Sequence, residues 1–301
     1  MIKIVILGAA AGGGVPQWNC GCANCRAARS DAAKGADQAS AAVSADGEHW
    51  FLINASPDIR QQIAATPALH PKAGQMRHSP IAGVLLTNGE IDAIAGLLTL
   101  REGSPFALHA HPRVHSILSA NTIFNALKPG VVTRLPMALG ITFSPALPDG
   151  SSTGLDITPF AAPGKVALFL EDQDAPDPGD TLGLRITDRA SGRSVVFLPA
   201  CARLDDAILA ELDGADALFL DGTLWQDDEL IVQGLGQKTG QRMGHITMQD
   251  AIAALGTANI GRKFFFHINN SNPAWQPASP ERQALEAAGW TIPAQGMEIT
   301  L

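Results

Sequence analysis

Apolar runs alternate along the chain with glycine, proline and polar clusters. Ile2 to Leu7 is apolar at nearly every position, the pattern of a strand covered on both faces. Ala41 to Ser44 and Trp50 to Ile53 predict a pair of strands around the turn Ala45-Asp46-Gly47-Glu48. Asn54-Ala55-Ser56-Pro57-Asp58 then predicts a helix start, with Ser56 as N-cap and Pro57 in the first turn. Val84 to Leu86 and Phe106 to His109 are further strands, the first followed by a helix through Leu100, the second by one after Pro112. Residues 26–38, polar and alanine-rich, predict a surface loop or short helix.

Between residues 129 and 197 the pattern turns β-rich: Thr142–Ser144, Leu155–Phe160, Val166–Leu170, Leu182–Ile186 and Ser194–Leu198, with a proline-rich turn at 176–180. The last hundred residues alternate again, with helices at Leu204–Leu212, Thr247–Leu255 and Pro280–Ala288 and strands at Ala217–Leu220 and Lys263–Ile268. No fixed repeat emerges. The interleaving predicts one α/β domain over residues 1–301, with two sheets inside and helices outside.

Charge and cysteine usage narrow the function. A net charge of −8 over 301 residues offers no basic stripe for a phosphate backbone, which argues against nucleic acid as a partner. Four cysteines, three of them clustered, are no disulfide framework, and a reducing, cytoplasmic location is expected. The apolar start is followed by glycines and cysteines without a small-residue cleavage site, so a strand is expected there and not a signal peptide. No apolar run reaches the roughly 20 residues of a membrane span, and no membrane insertion is expected.

The densest chemistry lies in Asn19-Cys20-Gly21-Cys22-Ala23-Asn24-Cys25. Three thiols this close suit a tetrahedral zinc site lacking one donor, for which His245 is the candidate; structural or reactive thiols are the alternative. The glycines of residues 8–14 do not open a helix, so a dinucleotide fingerprint is not supported. Polar residues follow four predicted strands: Asn54–Asp58, Thr87–Asp92, Asp221-Gly222-Thr223 and His267-Ile268-Asn269-Asn270. In α/β sheets ligands gather beyond such strand ends, and a carboxylate like Asp221 directly after a buried strand needs a partner. His109, His111 and His115 are expected on the surface. Cys201 is expected to begin a helix, as a small pocket residue or a reactive thiol. Trp18 and Trp225 flank the motif segments and are candidates to line a pocket.

Taken together, residues 10–25 with the C-x-C-x-x-C loop, Asn54-Ala55-Ser56-Pro57-Asp58-Ile59-Arg60, Gly96 to Gly103, Asp221-Gly222-Thr223-Leu224-Trp225, Met243-Gly244-His245 and His267-Ile268-Asn269-Asn270 resemble the PqqB family of pyrroloquinoline quinone (PQQ) biosynthesis. The resemblance implies a metallo-β-lactamase-like αββα four-layer sandwich. It implies a structural zinc on Cys20, Cys22, Cys25 and His245. The wider superfamily's H-x-H-x-D-H corresponds to Asn88-Gly89-Glu90-Ile91-Asp92-Ala93, without its leading histidines and with Ala93 where relatives carry histidine. A middle histidine has no counterpart near Pro163-Gly164-Lys165. The metal-binding and catalytic residues implied are therefore Asp92, Asp221 and His267, with Glu90 as a substitute donor. Two carboxylates and a histidine suit a mononuclear ferrous iron site. The implied activity is that of an oxidoreductase: iron-dependent, oxygen-using hydroxylation of the tyrosine-derived ring of a small-molecule or peptide-derived PQQ precursor. The alternative is a binding or carrier protein for PQQ or its precursor, assisting transport to the periplasm, which the absent histidine at Ala93 favours. A hydrolase is disfavoured by the missing histidines. A homodimer is the expected assembly.

Overall fold

Ile2, Ile4 and Ile6 turn into one apolar cluster while Val5 and Leu7 turn into another, so the first strand is covered on both sides. The computed structural model describes residues 1–147 and 149–301. Among the described residues thirteen strands form two sheets. The first runs in the order β13 (Glu298–Thr300), β1 (Lys3–Gly8), β2 (Ser40–Ser44), β3 (Trp50–Ile53), β4 (Ile81–Leu85), β5 (Phe106–Ala110) and β6 (Val132–Pro136). The second runs β12 (Trp290–Thr291), β11 (Arg262–Phe266), β10 (Ala217–Asp221), β9 (Ser194–Leu198), β8 (Leu182–Asp188) and β7 (Leu155–Ala161).

Each sheet is antiparallel at one side and parallel at the other: β3 to β6 run parallel, as do β9 to β12. The inner faces meet in one core, where Phe219 stacks 4.7 Å from both Phe197 and Phe264 on the neighbouring strands. Helices cover the outer faces. Ile59, Leu97, Val114 and Leu118 cover the first sheet, and Ile208, Met248, Ala251 and Leu285 the second. Two helical layers on two sheets give the αββα metallo-β-lactamase fold. Among the described residues no helix is long and apolar enough to cross a membrane.

The two sheets are tied at one edge, and that edge carries the site. Ile268, just after β11, donates to Ala9 O and accepts from Ala11 N at 2.8 Å each, while Leu182 N reaches Thr87 O at 2.8 Å. The carboxyl ends of β3, β4, β10 and β11 therefore open at this common edge.

Several local expectations change. Val166–Leu170 is no strand; its end forms a single 3-10 turn at Leu168–Leu170, with Leu168 exposed. Thr142–Ser144 contributes only a bridge from Phe143 to Ile157. The helix after β3 begins at Ile59, because the Ser56 hydroxyl accepts from Asp58 N and donates to Gln62 Oε1. The helix after Glu90 is α only over Ile91–Ile94 and continues as 3-10 to Arg101. Its α ladder is interrupted where Ala55 N takes the Ala93 carbonyl and Gly96 N turns to Ala55 O.

His109 is not a surface residue. Phe106, Leu108 and Ala110 face the outer layer, so alternation along β5 sends His109 inward, where it stacks on Phe143 at 5.0 Å. Burial pushes its imidazole down to about 4. The folded protein keeps it neutral while the unfolded chain, titrating near 6.5, takes a proton. Stability from this group is thus intact above about pH 6.5 and declines as pH falls to about 4, by roughly 3 kcal/mol. Urea unfolding at pH 7 and pH 4.5 should show this slope in the wild type and a shallower one in His109→Phe; equal slopes would refute it.

Candidate metal centre

The cysteine loop is held together before any ion is considered. Cys22 caps the helix Ala23–Ser30, its sulfur accepting from Cys25 N at 3.5 Å. Gln17 N donates to Cys25 Sγ at 3.3 Å, and Cys22 N to Cys20 Sγ at 3.4 Å. Arg29 clamps the loop from outside, donating to Cys20 O at 2.6 Å and Gln17 O at 2.7 Å. The three sulfurs lie within 4.8 Å of one another. Burial pushes the Cys25 thiol up to about 11, so its thiolate needs a nearby positive charge such as a metal ion.

The fourth group at the trio is Asn270, not His245. The Asn270 amide nitrogen lies 3.1, 3.3 and 3.5 Å from the sulfurs of Cys20, Cys25 and Cys22. A half-turn of that amide presents Oδ1 to the same point. Three thiolates and one oxygen are a donor set that zinc accepts.

His245 is carried elsewhere by its backbone. Gly244 takes φ +85° at the end of the short helix Gly240–Met243, and Ile246 N then bonds Cys201 O. This delivers the imidazole to the end of β10, with Nδ1 2.7 Å from Asp221 Oδ2.

Asp221, His245 and His267 place donor atoms within 4.8 Å of one another. Asp221 is fully buried at the last position of β10. His267 follows β11 with φ +58°, a left-handed conformation that few non-glycine residues adopt, and the turn aims its ring at the centre. The two imidazoles stack at 5.4 Å. Thr223 is the hub, its hydroxyl 2.7 Å from Asp221 Oδ1, 3.1 Å from His245 Nδ1 and 3.0 Å from His267 Nδ1. Asp92 joins from the first sheet, its Oδ2 2.8 Å from His267 Nε2. Burial would raise Asp92, but the bond to His267 and its charge outweigh it and hold this carboxyl below its usual range. For His267, burial is likewise outweighed by Asp92, with Asp221 and Glu90 adding to it, and its pKa is raised. Gly12 matters here: a β-carbon would stand 3.3 Å from Asp92 Oδ2, so the glycine turn leaves this carboxylate room.

The structure thus brings Asp92, Asp221 and His267 together and adds His245. Glu90 faces the same cavity, but its Oε1 accepts from Leu168 N at 3.0 Å. Burial, and then the charge of Asp92, raise its pKa. Ala93 turns its methyl into the outer apolar layer. Cys201 starts no helix: the next one begins at Asp206, the thiol is buried and pushed up to about 12, and its N–H donates to Asp221 Oδ2 at 2.9 Å. Burial thus removes the reactive role. Thr223 and Asn270 were missed as functional residues, although both stand in strand-end segments noted for their polarity.

The centre opens into a cavity of about 1130 Å³. Trp18, Ile91, Leu168, Phe169, Leu230 and Met243 give it apolar walls. Trp225 is instead buried in the outer core of the second sheet.

Residues 49–268 match the family model of the beta-lactamase superfamily domain. Coenzyme PQQ synthesis protein B of Rhodopseudomonas palustris (strain BisB5) is 60% identical over 309 residues, with 100% of both chains covered. Its counterpart from Bradyrhizobium diazoefficiens is 58% identical over 312 residues, again with 100% of both covered. The chain belongs to the coenzyme PQQ synthesis protein B family. A solved structure of zinc-bound PqqB from Methylobacterium extorquens is 48% identical and superposes with a TM-score of 0.93, covering 99% of this chain and 100% of that one. In this PqqB-family chain the cysteine loop lies before the segment matched by the superfamily model, whereas Asp92, Asp221, His245 and His267 lie within it.

Proposed function

We propose that this member of the coenzyme PQQ synthesis protein B family is an oxygen-using hydroxylase that acts on the tyrosine-derived ring of a PQQ precursor. The observation that carries the reading is the donor set itself, two imidazoles and Asp221 beside Asp92, at the base of a cavity large enough for a fused-ring acid. Asp221, His245 and His267 would hold the cation, and Asp92 fits as a further donor. Ferrous iron in such a two-histidine, carboxylate set supplies oxygen binding and activation when bound. Thr223 orients both imidazoles through Nδ1, and Asp92 stands beside His267 Nε2, the ring nitrogen left for the cation. Glu90, with its raised pKa, is a proton acceptor on the cavity wall for a phenolic hydroxyl. Trp18, Leu168 and Phe169 offer the ring apolar surface at the cavity mouth. The thiols of Cys20, Cys22 and Cys25, with Asn270, are assigned a structural zinc.

The size of the cavity also favours a second reading, a carrier that holds the quinone whole. One experiment separates the two. Protein loaded anaerobically with ferrous iron is given the cross-linked Glu-Tyr precursor and then oxygen labelled with the heavy isotope. The hydroxylase reading expects a ring product carrying the label. Tight quinone binding with no labelled product would overturn it in favour of the carrier.

A further inference from the structure

The cavity that holds the metal-donor residues is lined by Glu90, Asp92 and Asp180, in a chain of net charge −8. An acidic ligand entering it needs a compensating cationic wall away from the centre. Lys165 and Lys238 are the only lysine or arginine residues lining the cavity among the described residues. Both ammonium groups converge on Glu171: Lys165 reaches Oε1, and Lys238 Nζ lies 2.9 Å from Oε2. Glu171, which does not line the cavity, holds the two ammonium groups together.

Lys165 is further placed by Gly244, where a β-carbon would stand 3.2 Å from its Cγ. Gly244 immediately precedes His245, so the aliphatic stem of Lys165 packs beside the turn that carries a donor residue, while Lys238 enters from a separate loop. An ammonium carries three donors, and one bond to Glu171 leaves others for a ligand. The apolar side chains of Trp18, Phe169 and Leu168 fit flat hydrocarbon surface.

We propose that Lys165 and Lys238, held together by Glu171, form a receptor for carboxylates of an aromatic polyacid whose ring faces Asp221, His245 and His267. This deepens the proposed function by naming what selects the ligand. The contacts are charge-assisted hydrogen bonds, each lost at a cost of about tenfold or more in affinity.

The test compares PQQ, a tricarboxylate, with its trimethyl ester, which keeps the ring system and loses the charges. The wild type should bind the acid at least about tenfold more tightly than the ester, with the advantage shrinking in added salt. Lys165→Met and Lys238→Met should each weaken acid binding about tenfold or more and leave ester binding unchanged. Circular dichroism should report both variants folded, since methionine keeps the aliphatic stem. Equal binding of acid and ester, untouched by the lysine changes, would overturn the receptor while leaving a quinone-site reading intact. If neither quinone binds but benzene-1,3,5-tricarboxylate binds in a lysine-dependent way, the receptor stands and the PQQ reading falls. Binding of none of the three overturns both.

Discussion

Replacing Asp221 by asparagine is expected to lower the affinity of the second centre for a divalent cation at least about 100-fold and to reduce precursor turnover to background. The residue is fully buried and its two oxygens are committed. One accepts from Cys201 N, and the other from Thr223 N and the Thr223 hydroxyl, while His245 stands 2.7 Å away. Asparagine keeps the shape and one acceptor, so the sheet edge should survive. It removes the negative charge that would balance a cation between two imidazoles. It also places amide hydrogens where Cys201 N or Thr223 presents a donor, which sets donor against donor. Iron titration of the variant together with oxygen-dependent turnover checks this. Wild-type turnover in a folded Asp221→Asn protein would mean that the reaction occurs elsewhere.

The second large effect concerns the thiol loop. Elemental analysis should find about one zinc per chain there, lost in Cys22→Ser together with about 5 kcal/mol or more of stability and a melting temperature at least about 10 °C lower. Structural zinc sites in small peptides are worth about 10–16 kcal/mol. The smaller figure is expected here because Arg29 and Asn270 already hold much of the loop in place. Asn270→Ala should weaken zinc retention, whereas His245→Ala should leave the zinc of this loop untouched. Zinc lost from the loop in His245→Ala but kept in Asn270→Ala would contradict the placement of these two side chains.

The strands could be read from the sequence because each carries its own signal. Alternation of Ile4 and Ile6 with Val5 and Leu7, and the apolar run ending at Asp221, are local patterns that need no knowledge of the rest. The same reasoning, applied to Phe106, Leu108 and Ala110, would have turned His109 inward; neighbouring proline, arginine and serine obscured it. The partner of the thiols was a different problem. Asn270 follows the buried end of β11 and His245 a mostly exposed stretch, yet either could reach residue 20 on spacing alone. The choice is made by a glycine in a left-handed turn at 244 and by the bonds joining Ile268 to Ala9 and Ala11. Those are tertiary events without a local signature. Thr223 escaped notice for a similar reason: a threonine after an aspartate is commonplace until three side chains converge on its hydroxyl.

His267 and Asn270 stand three positions apart on one loop, the first facing the carboxylates and the second the sulfurs. The thiol cluster and the carboxylate–imidazole cluster are thus soldered to the same short span of backbone. Oxidation at the thiols should therefore tug on the histidine end of the loop, and a preparation with its cysteines oxidised is a poor witness to the geometry there.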